Sequence, residues 1–349
     1  QTADTLKGLV ETILIPHYGR QQVLLKVDVA ASHISMDFRE WLEQAHPNIH
    51  LQFVVPNCTS KLQALDVGVQ RPLKDFLRRT ATQQVADMIF SAPDAQGQII
   101  AFPALNMPAV AASSRVSPLD GANLNRAFPG ARDGGPNAMI AHFLETEILP
   151  LCDAAIDLHS GGKASFFEPC ALPTLTDDPA LAAKNMQLAH LFGLPLVWRL
   201  GGDNDNRSVN SAADRAGVPM IATELGGGGG VDPTITDQAE AGIWNILRHL
   251  GMIAGEVHHP PKPRVVEIRD PGASLYATSE GLFDRALSAG QDVTAGDFAG
   301  WFHHITEPER PSVRLTVPQD GMILAHTNRG LVTRGEMLLL VVQDVDQAL

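Results

Sequence analysis

The sequence has little of what would make it secreted, membrane-bound or a general binder of nucleic acid. It has three cysteines in 349 residues, Cys58, Cys152 and Cys170. They form no CxxC pair and their number is odd, so a reduced, intracellular and cytoplasmic compartment is the plainer expectation. No apolar run approaches the roughly 20 residues that cross a bilayer, and no leader of the secretory type opens the chain. Gln1 rather than Met stands first, as expected of a fragment. Basic charge is outweighed: 26 Lys and Arg face 39 Asp and Glu, a formal net charge of −13. That disfavours phosphate-backbone binding by the chain as a whole, though not by a small basic segment. The glycines at 226–230 are followed by no Gly-Lys-Ser/Thr, so they are not a phosphate loop.

What is present is enough chain for two or three domains, in three compositional blocks. Residues 1–90 hold much of the local basic charge, including Lys61, Arg71, Lys74, Arg78 and Arg79. The pattern there predicts strands at Gln22–Val27 and Ile49–Val55, and helices at Ser35–Ala45 and about Pro72–Ile89. A polar, turn-rich linker occupies 91–97. Residues 98–258 alternate apolar runs (Gln98–Phe102, Ala154–Leu158, Leu194–Leu200, Met220–Leu225) with helical patterns (Asn137–Leu149, Pro179–Phe192, Val209–Ala216, Thr236–Leu250). Such alternation predicts an α/β sheet whose site gathers at the C-terminal ends of its strands. After the joint His259-Pro260-Pro261-Lys262-Pro263, residues 264–349 read as short strands and turns, a small β-barrel or sandwich.

Four pieces of the middle block carry chemistry. Asp157-Leu158-His159-Ser160-Gly161-Gly162 ends an apolar strand in an imidazole, where a metal ligand can sit, although a strand-end histidine is more often structural. Thr223-Glu224-Leu225 places a carboxylate before bare glycine backbone, as a general base beside a substrate requires; a salt-bridged or capping Glu has the same pattern. Asp120-Gly121-Ala122-Asn123-Leu124-Asn125-Arg126 offers an Asn and a forked guanidinium suited to a carboxylate, or else a turn with a surface arginine. Arg115 is a second cation, and Phe102-Pro103-Ala104-Leu105-Asn106 can lay its loop into the same site.

In this order, PALN, R-x-S-P-x-D-G-x-NLNR-x-FPG, DLHSGG and TELGGGG resemble the succinylglutamate desuccinylase/aspartoacylase family, nearest its bacterial deacetylases of small N-acetylated diamino acids. The likeness runs from about Gly97 to the C-terminus and takes in LYA-x-x-x-GLF and DGMILAHTNRGLVTRGE. It implies a zinc-carboxypeptidase-like α/β/α domain with a small C-terminal β-barrel, hydrolysing the amide of small N-acyl amino acids. It further implies His159 as the last zinc ligand, Glu224 as catalytic glutamate, Asn125 and Arg126 as the carboxylate grip, and Arg115 near the oxyanion. The family's first two zinc ligands come from a His-Gly-Asp-Glu motif ahead of PALN, which this chain lacks. The domain is thus expected to be truncated, with zinc binding and turnover impaired. His142 and Glu145 have His-x-x-Glu spacing but fall on a helix the family does not use for metal. The pairs His258/His259 and His303/His304 are expected at the surface.

A second resemblance covers about residues 7–80. Leu24-Leu25-Lys26-Val27-Asp28 and the run PNCTSKLQ-x-LDVGV resemble a pogo/jerky-type DDE-superfamily transposase. It implies Asp28 and Asp66 as remnants of a two-metal site, inactive because its first acidic residue has no counterpart here. The N-terminal segment would then be a foreign α/β piece capable of weak nucleic-acid contact. The rival readings are therefore a deacylase with a broken zinc site, a transposase-derived nucleic-acid binder, and a catalytically dead carboxylate-binding module. In the first, Cys58 is the residue of the foreign segment best able to reach a metal as thiolate.

Overall fold

The computed structural model describes residues 11, 23–28, 41–42, 44–46, 49–54, 97–201 and 205–345. The chain divides into two compact units, Gln1–Pro93 and Asp94–Leu349. In the first, β1 (Val23–Asp28) and β2 (Ile49–Val54) pair in parallel from Val23↔Ile49 to Asp28↔Val54. Both strands lie where the apolar pattern put them. The helix expected at Pro72–Ile89, along with Cys58 and Asp66, lies outside the described residues.

The second unit is a mixed sheet with helices, followed by short strands. After α1 (Met107–Ala111) and α2 (Pro136–Phe143) come β3 (Ala155–His159), β4 (Ser165–Phe167), β5 (Cys170–Pro173), α3 (Pro179–Phe192) and β6 (Leu196–Trp198). Next are α4 (Val209–Ala216), β7 (Met220–Glu224), α5 (Pro233–His249) and β8 (Arg264–Glu267). The C-terminal strands are β9 (Leu275–Tyr276), β10 (Gly281–Arg285), β11 (Asp292–Val293), β12 (Phe298–His303), β13 (Val313–Thr316), β14 (Gly321–Thr327), β15 (Leu331–Val332) and β16 (Met337–Asp344). One sheet runs β11-β14-β16-β8-β6-β5-β7-β3, with β4 added to β14 and β9 to β16; a second runs β13-β12-β10-β15. Within the first, β3/β7, β5/β6 and β6/β8 are parallel, and β5/β7 is antiparallel.

Local chemistry explains the helix ends. Asp178 caps α3 by accepting from the Ala180 N–H at 2.8 Å, with Pro179 at the first turn and Gly193 left-handed at the exit. Ser208 and Gly217 do the same for α4. One expectation fails: Gln98–Phe102 forms no strand, and residues 98–102 run without regular structure into a turn. A ladder needs a partner strand, and none lies beside this segment among the described residues.

The core crosses the proline-rich joint. Cys170, Leu196, Ala222 and Val266 pack in one cluster with Leu324, Leu340 and Val342 from the last strands. Asn245, 4% exposed on α5, fastens the joint itself. Its Nδ2 donates to the Leu191 and His258 carbonyls at 2.7 and 2.8 Å, and its Oδ1 accepts from the His258 N–H at 2.7 Å. Asn245→Ala is expected to cost about 2 kcal/mol, because it strands buried backbone groups. A urea midpoint equal to wild type would show that water replaces the amide.

Candidate active site

Two strand ends build the site. β3 and β7 run parallel and in register, so His159 stands opposite Glu224 at the sheet's C-terminal edge. The loops that follow are laced by backbone bonds: Leu225 N to His159 O at 2.8 Å, Gly161 N to Gly226 O at 3.0 Å, and Gly229 N to Gly162 O at 2.8 Å. The glycines of DLHSGG and TELGGGG thus allow two chains to lie against each other, beyond exposing backbone.

Asp157, two residues before His159 and on the same strand face, meets its ring: Asp157 Oδ2 lies 2.5 Å from His159 Nε2. Its negative charge is the largest influence on the imidazole and raises its pKa to about 9, against burial and the Arg115 charge. Burial pushes Glu224 up to about 7, aided by Asp157 and opposed by His159 and Arg115. Glu224 Oε2 is buried without a hydrogen-bond partner among the described residues. Arg115, exposed in its turn, therefore acts on both groups through space. Sequence reasoning gave Asp157 no role; its i, i+2 spacing to His159 was the available signal.

The carboxylate-grip residues lie on a short 3₁₀ turn, Leu124–Arg126, capped by Asn123. Asn125 Oδ1 accepts from the Val209 N–H at 2.8 Å at the start of α4, so this amide holds two elements together. That bond sets the orientation of the amide, with its oxygen on α4. Arg126 pairs through Nε with Asp205 Oδ2 at 3.0 Å. The loop before it is organised by Asp120, which accepts from the Asn137 backbone at 2.9 Å and side chain at 2.6 Å. Asn137 in turn accepts from Asn106 of the PALN loop at 2.8 Å. Burial raises the Asp120 pKa, but these hydrogen bonds outweigh it and hold the carboxyl below its usual range.

The remaining candidates separate from this site. Glu145 accepts from Arg215 at 2.7 and 2.8 Å, an ion-pair role in place of metal binding. His303 bonds Ser312 at 2.7 Å, while its neighbour His304 is only 8% exposed, which corrects the surface expectation for that residue. Adjacent strand-end side chains point to opposite faces, and one of these faces is the core. Asp28 ends β1, its side chain outside the described residues, and the nucleic-acid reading finds no support in the fold. No helix among the described residues is long and apolar enough to cross a membrane.

Comparison with known proteins identifies the family to which this fold belongs. Residues 80–250 match the model of the succinylglutamate desuccinylase/aspartoacylase catalytic domain, starting upstream of Gly97. The chain is 33% identical over 269 residues to the N-alpha-acetyl-L-2,4-diaminobutyric acid deacetylase of Halomonas elongata, covering 76% of this chain and 78% of that protein. The crystal structure of a succinylglutamate desuccinylase/aspartoacylase from Rhodobacter sphaeroides superposes with a TM-score of 0.70 at 31% identity, over 76% of this chain and 82% of that one. The product-bound ectoine utilization protein EutE (DoeB) from Ruegeria pomeroyi gives 0.71 at 31% identity, over 75% and 80%. The fold is thus that of the acyl-amino-acid deacylase class. The chain belongs to the succinylglutamate desuccinylase/aspartoacylase family.

Proposed function

We propose that this chain keeps the frame of a hydrolase of the amide bond in small N-acyl amino acids, with Glu224 placed to move the proton and Arg126, helped by Asn125, to receive the substrate carboxylate. Turnover is impaired because the described residues do not complete a zinc site. The observation that carries the reading is the in-register pair His159 and Glu224, with an unpartnered carboxylate oxygen facing no described donor. A carboxyl near pKa 7 takes a proton from water and returns it to the leaving amine at neutral pH. Arg115 supplies positive charge where the carbonyl oxygen becomes negative. The relative from Halomonas elongata, named for an acetylated diamino acid, supports an acylated diamino acid as substrate.

Zinc is the metal the family implies, and the described residues do not fit it. Among them no group of three or more His, Cys, Asp or Glu side chains could hold a metal ion. His159 alone, its Nε2 already on Asp157, cannot replace the three protein ligands of a catalytic zinc. The same incomplete set favours a second reading, a carboxylate-binding module without turnover. Purified protein is therefore expected to carry well under one zinc per chain and to release no amine from N-acetylated diamino acids. Metal analysis and an amine-release assay on one sample decide this. Stoichiometric zinc, with turnover abolished by Glu224→Ala, would mean that other residues supply the ligands.

A further inference from the structure

Arg126 does not face solvent alone. Its Nε lies 3.0 Å from Asp205 Oδ2. Arg207 grips the same carboxylate with its side-on fork, Nε to Oδ1 at 3.0 Å and Nη2 to Oδ2 at 2.8 Å, while its own N–H reaches Oδ1 at 2.9 Å. Two guanidinium groups thus share one carboxylate, a local charge of +1. The hydrogen bonds of Arg207 hold the Asp205 carboxyl well below the usual range, so it is charged at neutral pH.

We infer that Asp205 is a built-in competitor for the substrate carboxylate at Arg126, and so a residue that sets the site's selectivity. This rests on the carboxylate-grip reading of Arg126. An arginine holds a carboxylate best through a fork of two parallel N–H groups. Arg126 Nη1 is spent on the Asn125 carbonyl at 2.5 Å, and Nε, half of the side-on fork, is spent on Asp205. A ligand using the Nε/Nη2 edge must first displace Asp205 from Nε. Arg207 makes that displacement inexpensive, since it keeps a bidentate hold on Asp205 after Arg126 lets go.

The exchange needs only side-chain movement. The two backbones stay tied by Phe128 N to Arg207 O at 3.2 Å and by Val209 N to Asn125 Oδ1 at 2.8 Å. An open cavity of about 400 Å³ lies beside Arg207, walled in part by Phe128, Pro129 and Arg215. Weak anions are rejected because they gain too little to break the internal pair.

The test is calorimetric binding of N-acetyl-L-alanine and of its uncharged amide to the full chain at low salt. Asp205→Ala and the shape-preserving Asp205→Asn are compared with wild type and Arg126→Gln, each checked by thermal melting. Removing the competitor raises the local charge to +2 and frees Nε, so both Asp205 variants are expected to bind the acid about three- to fivefold more tightly, with the amide unchanged. Unchanged or weaker acid binding in both, with Arg126→Gln still losing it, overturns the competitor and leaves the carboxylate grip standing. If neither wild type nor Asp205→Ala prefers acid to amide, the grip itself fails, and this inference with it.

Discussion

Gly227→Ala is expected to destabilise the protein by about 3–5 kcal/mol and to disorder the loop beyond Glu224. Gly227 has φ +153°, a conformation that L side chains rarely adopt. A Cβ there would lie 2.0 Å from the Ser165 carbonyl oxygen and 3.1 Å from Phe166 Cα. Both are backbone atoms, which cannot swing aside as a side-chain tip can. Nor can the loop retreat cheaply, because Phe167 N donates to Gly226 O at 3.1 Å and Gly228 N to Ser165 O at 3.2 Å. Gly230→Ala is the control, since an added methyl there meets nothing within 4 Å. Urea midpoints of the two variants check this. If Gly227→Ala unfolds at the same midpoint as Gly230→Ala, the loop yields and the close approach is not required.

The second large effect is a loss of stability in mild acid caused by His326. This ring, 7% exposed on β14, stacks on Phe166 of β4 at 5.5 Å, and its Nδ1 accepts from the Ala289 N–H at 2.9 Å. Burial first, then the charge of Arg285, push its pKa from 6.5 down to about 4, with an Asn328 hydrogen bond opposing. The unfolded chain therefore binds a proton between these values that the folded chain refuses. Stability from this residue is complete above about pH 6.5 and is lost as pH falls towards 4. At about 1.4 kcal/mol per pKa unit, the loss approaches about 3 kcal/mol over the full span and about 2 kcal/mol at pH 5. His326→Asn keeps an acceptor for Ala289 but does not titrate. Urea unfolding at pH 7 and pH 5 is expected to show a steeper loss for wild type than for the variant. Parallel losses would mean that His326 protonates as easily folded as unfolded.

The two predictions concern one seam. Phe166 also faces the position where Gly226 would carry a Cβ, and β14 pairs with β4 from Ala325↔Phe167 to Thr327↔Ser165. The last strands of the chain therefore brace the loop that follows His159, some 160 residues earlier in sequence.

Much of the middle block is legible in the sequence because its determinants are local. α3 and α4 have the predicted bounds, since Asp178, Pro179 and Gly193, and then Ser208 and Gly217, act within a turn of the ends they define. β3 and β7 are legible as apolar runs, and two parallel strands ending in functional residues bring those residues to one edge. That is why the sequence by itself places His159 and Glu224 at the same edge. Gln98–Phe102 shows the limit: its apolar pattern is that of a strand, but a strand exists only where another chain segment completes its hydrogen bonds.

Tertiary structure alone decided what the polar side chains do with one another. The sequence offers Asn125 and Arg126 as a donor pair, but not that Asn125 accepts from the first N–H of α4 or that Arg126 is already held by Asp205. It offers a DLH motif, and only the strand's geometry turns Asp157 onto the imidazole. His326 carries no sequence mark of its depressed basicity, which comes from burial between β4 and β14. Helix ends and strand runs are set by neighbours along the chain, within reach of a few residues. Charge partners, burial and the shape of a glycine loop are set by neighbours in space, and the sequence does not encode those distances locally.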